Sequence, residues 1–262
     1  MTLSAQELNN LADVVLHAQD HAHTIPKVTL EHPQMSIEDG YAVQHELRRR
    51  RILRGERLIG LKGGLTSKAK MDQMGVHSPS FGFLTNIMAS PENAAITFNS
   101  MIHPRVEAEI AFVTNRELGG PDCTIDEVLD ATEVVIPAVE VIDSRFENFK
   151  LDLISAIADN ASSCRYVTGG RPRGPRDMDL RTVGVVIEKN GVIQALGAGA
   201  AVLNHPANSI VMLVQHLAKY RETLPAGSFV MTGGITEAIP VKAGDSVIAR
   251  FQDMGSVSLH FV

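Results

Sequence analysis

Residues 134–142 read Val-Val-Ile-Pro-Ala-Val-Glu-Val-Ile, nine residues in which Glu140 is the only charge. A run this apolar reads as a strand buried on both faces, which commits the chain to a sheet covered above and below. Pro137 predicts a bulge or an edge there, because proline has no N–H to give the ladder. Glu140 sets the second constraint. Burying an unpaired carboxylate costs several kcal/mol, so the group must be matched by a cation, a proton or a metal ion.

A second strand is legible at Arg105-Val-Glu-Ala-Glu-Ile-Ala-Phe-Val113. Alternation puts Glu107 and Glu109 on one face, continued by Ala111 and Val113, while Val106, Ala108, Ile110 and Phe112 fill the other. Two like charges on a half-buried face need a cation. Three glutamates from two strands supply oxygen ligands suited to Mg²⁺ or Mn²⁺. An ion pair of Glu140 with Arg105 or Arg145 is the competing reading, and spacing alone leaves the two open.

Around these strands the chain is helical first and strand-rich later. Ser4 with Glu7 and Ser36 with Asp39 are capping-box patterns, each opening a helix, the second reaching about Arg54 before Gly55. The second helix carries Arg48, Arg49, Arg50 and Arg51, read as a solvated or intersubunit surface. Leu58 to Leu61 is a short strand running into a glycine-rich turn at Lys62-Gly63-Gly64. A short amphipathic helix to Gly75 follows, and Lys62 to Gly82 reads as a lid. Thr124 with Glu127 caps a short helix, and Phe149 to Asp159 is helical. Asn190-Gly191 turns a hairpin, and Pro206 starts a helix. Turns at Gly233-Gly234 and Gly244-Asp245 punctuate a strand-rich end.

Other chemistries find little support. Thirty acidic against 24 basic residues give a net charge of −6, which disfavours nucleic acid. No apolar run approaches a membrane span, and Met1 to Asp20 does not read as a signal peptide. The two cysteines, Cys123 and Cys164, fit no zinc spacing or disulfide framework, so a reduced, cytoplasmic setting is expected. No histidine pair is spaced i,i+4 in a way that suggests zinc. Nucleotide-binding and serine-hydrolase motifs are absent. Lys62 reads as an anion anchor, or as an acid/base group with a lowered pKa near a metal.

Taken together, Gly60-Leu-Lys-Gly-Gly-Leu-Thr-Ser67, His103-Pro-Arg-Val-Glu-Ala-Glu-Ile110, Pro137-Ala-Val-Glu-Val-Ile142, Ala158-Asp-Asn-Ala-Ser-Ser163 and Thr232-Gly-Gly234 resemble the 2-hydroxypentadienoate hydratase/4-oxalocrotonate decarboxylase family, of the fumarylacetoacetate hydrolase fold group. The resemblance runs in order over nearly the whole chain. It implies an α+β fold, a mixed β-roll with a helical N-terminal region. It further implies a single catalytic domain over 1–262, with 1–80 the helical region and lid and 81–262 the β-rich metal-binding body. Glu107, Glu109 and Glu140 would hold Mg²⁺, with Mn²⁺ as an alternative. Lys62 would be catalytic, and Leu65, Thr66, Ser67, Ser162 and Thr236 would bind substrate.

The family has two main activities. Its hydratases carry an Asp in the lid between Pro and an aromatic-Gly pair, where this chain has Ser80 in Ser78-Pro79-Ser80-Phe81-Gly82. Serine is a poor base at neutral pH. Glu140-Val-Ile-Asp-Ser-Arg-Phe-Glu-Asn-Phe-Lys150 and Leu153-Ile-Ser155 also resemble the decarboxylating branch. The resemblance therefore implies decarboxylation of 2-oxohex-3-enedioate in aromatic meta-cleavage catabolism, with 2-hydroxypentadienoate hydration as the alternative. It also implies a homo-oligomer, and a complex with the pathway hydratase.

Overall fold

The structure is a computed structural model and describes residues 2–67, 71, 76 and 78–262. The expected helix ending at Gly75, and with it much of the expected lid, lies outside the described residues. The N-terminal region is helical, with α1 (Ala5–Asp20), the four-residue α2 (Val28–Glu31) and α3 (Ile37–Leu53). Both expected capping boxes form: Ser4 and Ser36 accept from the backbone of Glu7 and Asp39, whose side chains reach back to the caps. Each satisfies two of the amide donors that a helix start leaves without partners.

Two sheets form the body. The larger runs β2 (Ser80–Thr85), β1 (Leu58–Gly64), β10 (Phe229–Met231), β5 (Arg105–Thr114), β6 (Thr132–Ile142), β7 (Ser163–Thr168) and β3 (Ala89–Ser90), with β11 (Ile239–Pro240) also on β5. The smaller runs β4 (Ala94–Ile96), β13 (Gly255–Phe261), β12 (Ser246–Phe251), β8 (Gly184–Lys189) and β9 (Val192–Ala198). Parallel pairs β1/β10, β3/β7 and β4/β13 among antiparallel ladders make both sheets mixed. This is the expected α+β architecture with a helical N-terminal region. Among the described residues, no helix is long and apolar enough to cross a membrane.

The two faces of the large sheet bury different sets of residues. Val106, Ala108, Ile110 and Phe112 of β5 join Val135, Val139 and Val141 of β6 in a core shared with the small sheet. Ala111, Ala138, Met231 and Phe83 point the other way, into a core with Leu11, Val15, Val43 and Leu47 of α1 and α3. Glu107, Glu109 and Glu140 share the parity of this second set. The N-terminal helices therefore cover the carboxylate-bearing face of the sheet.

Four readings need correction. β1 continues through Lys62, Gly63 and Gly64, paired to Gly82, Phe81 and Ser80, so Lys62 lies within a strand instead of at a turn. Pro137 sits without a bulge opposite Ile110, and the register shifts fall at Val113/Thr114 and Val141/Ile142. The Pro137 carbonyl accepts from Gly169 N, just past the end of β7. Its missing N–H thus faces a place where the neighbouring ladder stops, an edge in the local sense. Arg51 is buried and paired with Glu56, so the arginine run is not wholly a solvated surface. Phe149 to Asp159 is helical only at α5 (Leu153–Ala158), because Asn148 and Phe149 take positive φ, both 56°. Two further helices complete the chain: α4 (Ile125–Asp130), with the Thr124/Glu127 box, and α6 (Pro206–Lys219). The hairpin at Asn190-Gly191 forms as expected.

Candidate metal centre and cleft

The β5/β6 register places Glu107 directly opposite Glu140, with Glu109 one step along the same face. One oxygen from each of the three carboxylates lies within 4.8 Å of the others, the one such group among the described residues. Exposure is 7% for Glu107 and 0% for Glu109 and Glu140, so water does not screen their repulsion. Burial, reinforced by the neighbouring carboxylates, raises the proton affinity of Glu109 well above the usual range. Burial also raises that of Glu140, although the Lys62 ammonium pulls the other way.

The cation that Glu140 demands is Lys62, whose Nζ donates to Glu140 Oε2 at 2.7 Å and to the Ala161 carbonyl at 3.3 Å. The expected alternatives do not serve. Arg145 pairs with Asp159, and Arg105 stacks on Phe149. Burial by itself would lower the Lys62 pKa, but attraction to Glu140, Glu109 and Glu107 outweighs it and the net direction is upward. With no cation bound among the carboxylates, their attraction favours the ammonium form of Lys62.

The Lys62–Glu140 pair by itself does not neutralise three carboxylates. Glu109 Oε1 and Glu140 Oε1 are buried and accept no hydrogen bond among the described residues. A hard divalent cation among these oxygens would satisfy both atoms and relieve the like-charge repulsion, so the donor set fits Mg²⁺ or Mn²⁺. The backbone is shaped around the same group. Gly233 N donates to Glu109 Oε2 at 2.7 Å. Gly233 has φ +99°, and a Cβ at Gly234 would stand 2.6 Å from Glu107 Oε2. The Gly-Gly pair after β10 is thus required by a close approach of backbone to carboxylate.

Beside the carboxylates opens a cleft of about 400 Å³. Lys62, Glu107, Leu65, Ser80, Ser162 and Arg105 line it, and Ile142, Leu151 and Ala238 give it apolar walls. Of the expected substrate-binding residues, Leu65 and Ser162 reach the cleft and the other three do not line it. Thr66 is buried against Gly233, and Ser67 bridges to Val202. Thr236 Oγ1 accepts from Ala108 N at 3.2 Å, fastening the chain beside β5.

The polar run after α5 shapes the other wall. Asn160, Ala161 and Ser162 all take positive φ, which turns the Ala161 carbonyl toward Lys62. Asn160 pairs with both the N–H and the carbonyl of Phe83, imitating a strand neighbour for β2. Asp159 holds the fully buried Arg145. In the sequence this cluster is visible as a motif of the resemblance, but its partners are not. Arg105 and Phe149 were missed as cleft residues. Arg105 shares the parity of Glu107 and Glu109, which was a usable signal, whereas the left-handed backbone that places Phe149 leaves none.

Among the described residues no histidine joins the carboxylate group, although His103 packs on Phe149 at the cleft, ring centroids 5.1 Å apart. His17 and His21, four residues apart, do stack at 4.0 Å with His23 beside them, but all three are exposed at the end of α1.

The fumarylacetoacetate (FAA) hydrolase C-terminal family model matches residues 63–262. A 4-oxalocrotonate decarboxylase of Pseudomonas sp. (strain CF600) is 54% identical over 261 residues, covering 100% of this chain and 99% of the relative. A 2-oxo-hept-4-ene-1,7-dioate hydratase of Escherichia coli is 38% identical, covering 100% and 97%. Among solved structures, a 4-oxalocrotonate decarboxylase from Pseudomonas putida G7 complexed with magnesium and adipate superposes with a TM-score of 0.98 at 51% identity, covering 100% of this chain and 99% of that one.

Proposed function

The chain belongs to the fumarylacetoacetate hydrolase family, and from that premise we propose that it is a metal-dependent carboxy-lyase converting 4-oxalocrotonate (2-oxohex-3-enedioate) to 2-hydroxypenta-2,4-dienoate and CO₂ in meta-cleavage catabolism of aromatic compounds. One observation carries the choice of decarboxylation over hydration. Among the described residues, the ionisable groups lining the cleft are Lys62, Arg105 and Glu107. Ser80 lines it where the resemblance puts the hydratases' Asp, and among the described residues no carboxylate besides Glu107 lines the cleft. Cleavage of the C–C bond needs none.

Glu107, Glu109 and Glu140 would hold the divalent ion, Mg²⁺ as in the solved relative or Mn²⁺ in its place. That ion supplies Lewis-acid stabilisation of negative charge developing on the substrate's 2-oxygen. The protein's own groups do the rest. The oxo-acid end of the substrate faces the carboxylate group, with the alkene against Leu65, Ile142 and Ala238. The C5–C6 bond breaks, and its electron pair moves through the alkene to the 2-oxygen as CO₂ departs. Lys62, held at the cleft by its hydrogen bond to Glu140, gives that oxygen a proton and regains one from water. Ser162, Leu65, Thr66, Ser67 and Thr236 position the substrate, the last three through the backbone they fasten. The protein acts in the cytoplasm as a homo-oligomer, in complex with the hydratase that consumes its product.

The test is CO₂ release from 2-oxohex-3-enedioate after chelator treatment, with and without excess Mg²⁺. Metal-dependent release is expected. No release in either arm, together with loss of dienol absorbance when 2-hydroxypentadienoate is supplied, would replace the reading by the hydratase.

A further inference from the structure

Arg105 lines the cleft, yet its charge is unanswered. Two other cations in or beside the site, among the described residues, each have a carboxylate: Lys62 has Glu140, and Arg145 has Asp159. Arg105 has none among the described residues, and its guanidinium lies 4.5 Å from the centroid of the Phe149 ring. Phe149 is held there by two consecutive left-handed residues, Asn148 and Phe149, each at φ 56°. A bulky residue adopts that conformation at a cost, and such costs gather at ligand sites. Stacking covers one face of the guanidinium and leaves its planar fork of N–H donors free for an anion.

Arg105 and Glu107 stand two residues apart on one face of β5, a span of roughly 7 Å. A dicarboxylate of adipate's length whose near end meets the Glu107/Glu109/Glu140 group can bring its far end to Arg105. We propose that Arg105, steadied by Phe149, receives the far carboxylate of the substrate and selects dicarboxylates over monocarboxylates. The proposal rests on the decarboxylase reading and extends it to specificity. The carboxylate held by Arg105 is the one that departs as neutral CO₂. Its attraction to the guanidinium belongs to the ground state and fades in the transition state. Binding of that kind lowers KM without raising kcat, so its removal raises KM and leaves kcat unchanged or higher.

Two measurements on the Mg²⁺-loaded protein test this. Arg105→Met is expected to weaken adipate binding by at least about tenfold while 2-oxopentanoate, which lacks the far carboxylate, changes less than about threefold. In turnover of 2-oxohex-3-enedioate, the same variant is expected to raise KM by a similar factor with kcat unchanged or higher. Phe149→Leu keeps the charge and loses its support, and should weaken adipate by a smaller factor with the same selectivity. Equal weakening of both ligands, no change in either, or a fall in kcat at constant KM would each overturn the assignment. Failure of the decarboxylase reading would show separately, as wild-type protein that releases no CO₂. The adipate to 2-oxopentanoate ratio judges Arg105 in either case.

Discussion

Lys62 and Glu140 form a buried pair at 3% and 0% side-chain exposure, set against two further carboxylates. Removing one partner of such a pair leaves the other as an uncompensated charge. Lys62→Met would leave Glu140 buried without its ammonium partner, beside two further carboxylates. CO₂ release is expected to fall by about 10²- to 10⁴-fold, the usual worth of a positioned proton donor. The metal-free variant should also lose about 3–5 kcal/mol of stability in denaturant titrations. Added Mg²⁺ should recover more of that loss in the variant than it adds to the wild type, because the ion then replaces the charge that Lys62 supplied to Glu140. Activity within about threefold of wild type would remove Lys62 from the mechanism.

Helix α6 places His216 between rings, 4.4 Å from Tyr41, 5.2 Å from Phe81 and 5.2 Å from Tyr220. Burial, with Lys219 and His45 adding to it, lowers its pKa from 6.5 to about 4. The unfolded chain takes up this proton near pH ~6.5 and the folded chain only near pH 4. The unfolded state therefore binds more protons across that window. The His216 contribution is complete above pH 6.5 and is lost as the pH falls toward 4. Asp159 acts with the opposite sign, since burial raises its pKa from 3.8 to about 6 despite Arg145. Comparing wild type with His216→Phe cancels the Asp159 part. The variant should show a shallower loss of stability between pH 7 and pH 4, by about 2 kcal/mol once partial exposure of the ring is discounted. Identical pH profiles would mean that His216 ionises freely in the folded protein.

Elements of this kind differed sharply in how far the sequence revealed them. The capping boxes of α1, α3 and α4 were legible because their partners lie three residues apart. The parity of Glu107 and Glu109 was legible because β5 is long and regular. The extension of β1 was not, because Gly63 and Gly64 carry the signature of a turn while their strand state comes from pairing to β2. The Lys62–Glu140 pair spans 78 residues, and no local pattern encodes such a separation. Arg51 was misjudged for the same reason, since its burial comes from contacts with Glu56 and with Gln19 on another helix. Family resemblance supplied the three glutamates and Lys62 as a set, but the free charge on Arg105 is visible only once Phe149 is in place.

At the scale of the whole molecule, the two cores share strands. Phe81 and Phe83 are two residues apart on β2 and lie in different cores, as do Ile110 and Ala111 on β5. Neither core can melt without disrupting the ladder that builds the other, so the helical region and the β-rich body should unfold as one cooperative unit. The carboxylate group lies on the same sheet, and an ion bound there stabilises that unit by mass action. Free Mg²⁺ at about 100 times its Kd contributes about 2.7 kcal/mol, which for a chain of this size is roughly 5–10 °C in Tm. Calorimetry should therefore show one transition that rises with Mg²⁺ and falls back after chelation, with far- and near-ultraviolet dichroism moving together. Glu109→Gln, which removes one ligand charge, should flatten the dependence on Mg²⁺ without splitting the transition. Two transitions, with only the upper one responding to Mg²⁺, would instead make the N-terminal helices a separate unit resting on the carboxylate face. The shared strands would then be a boundary, and the cover over the site could open without unfolding the body that holds the ion.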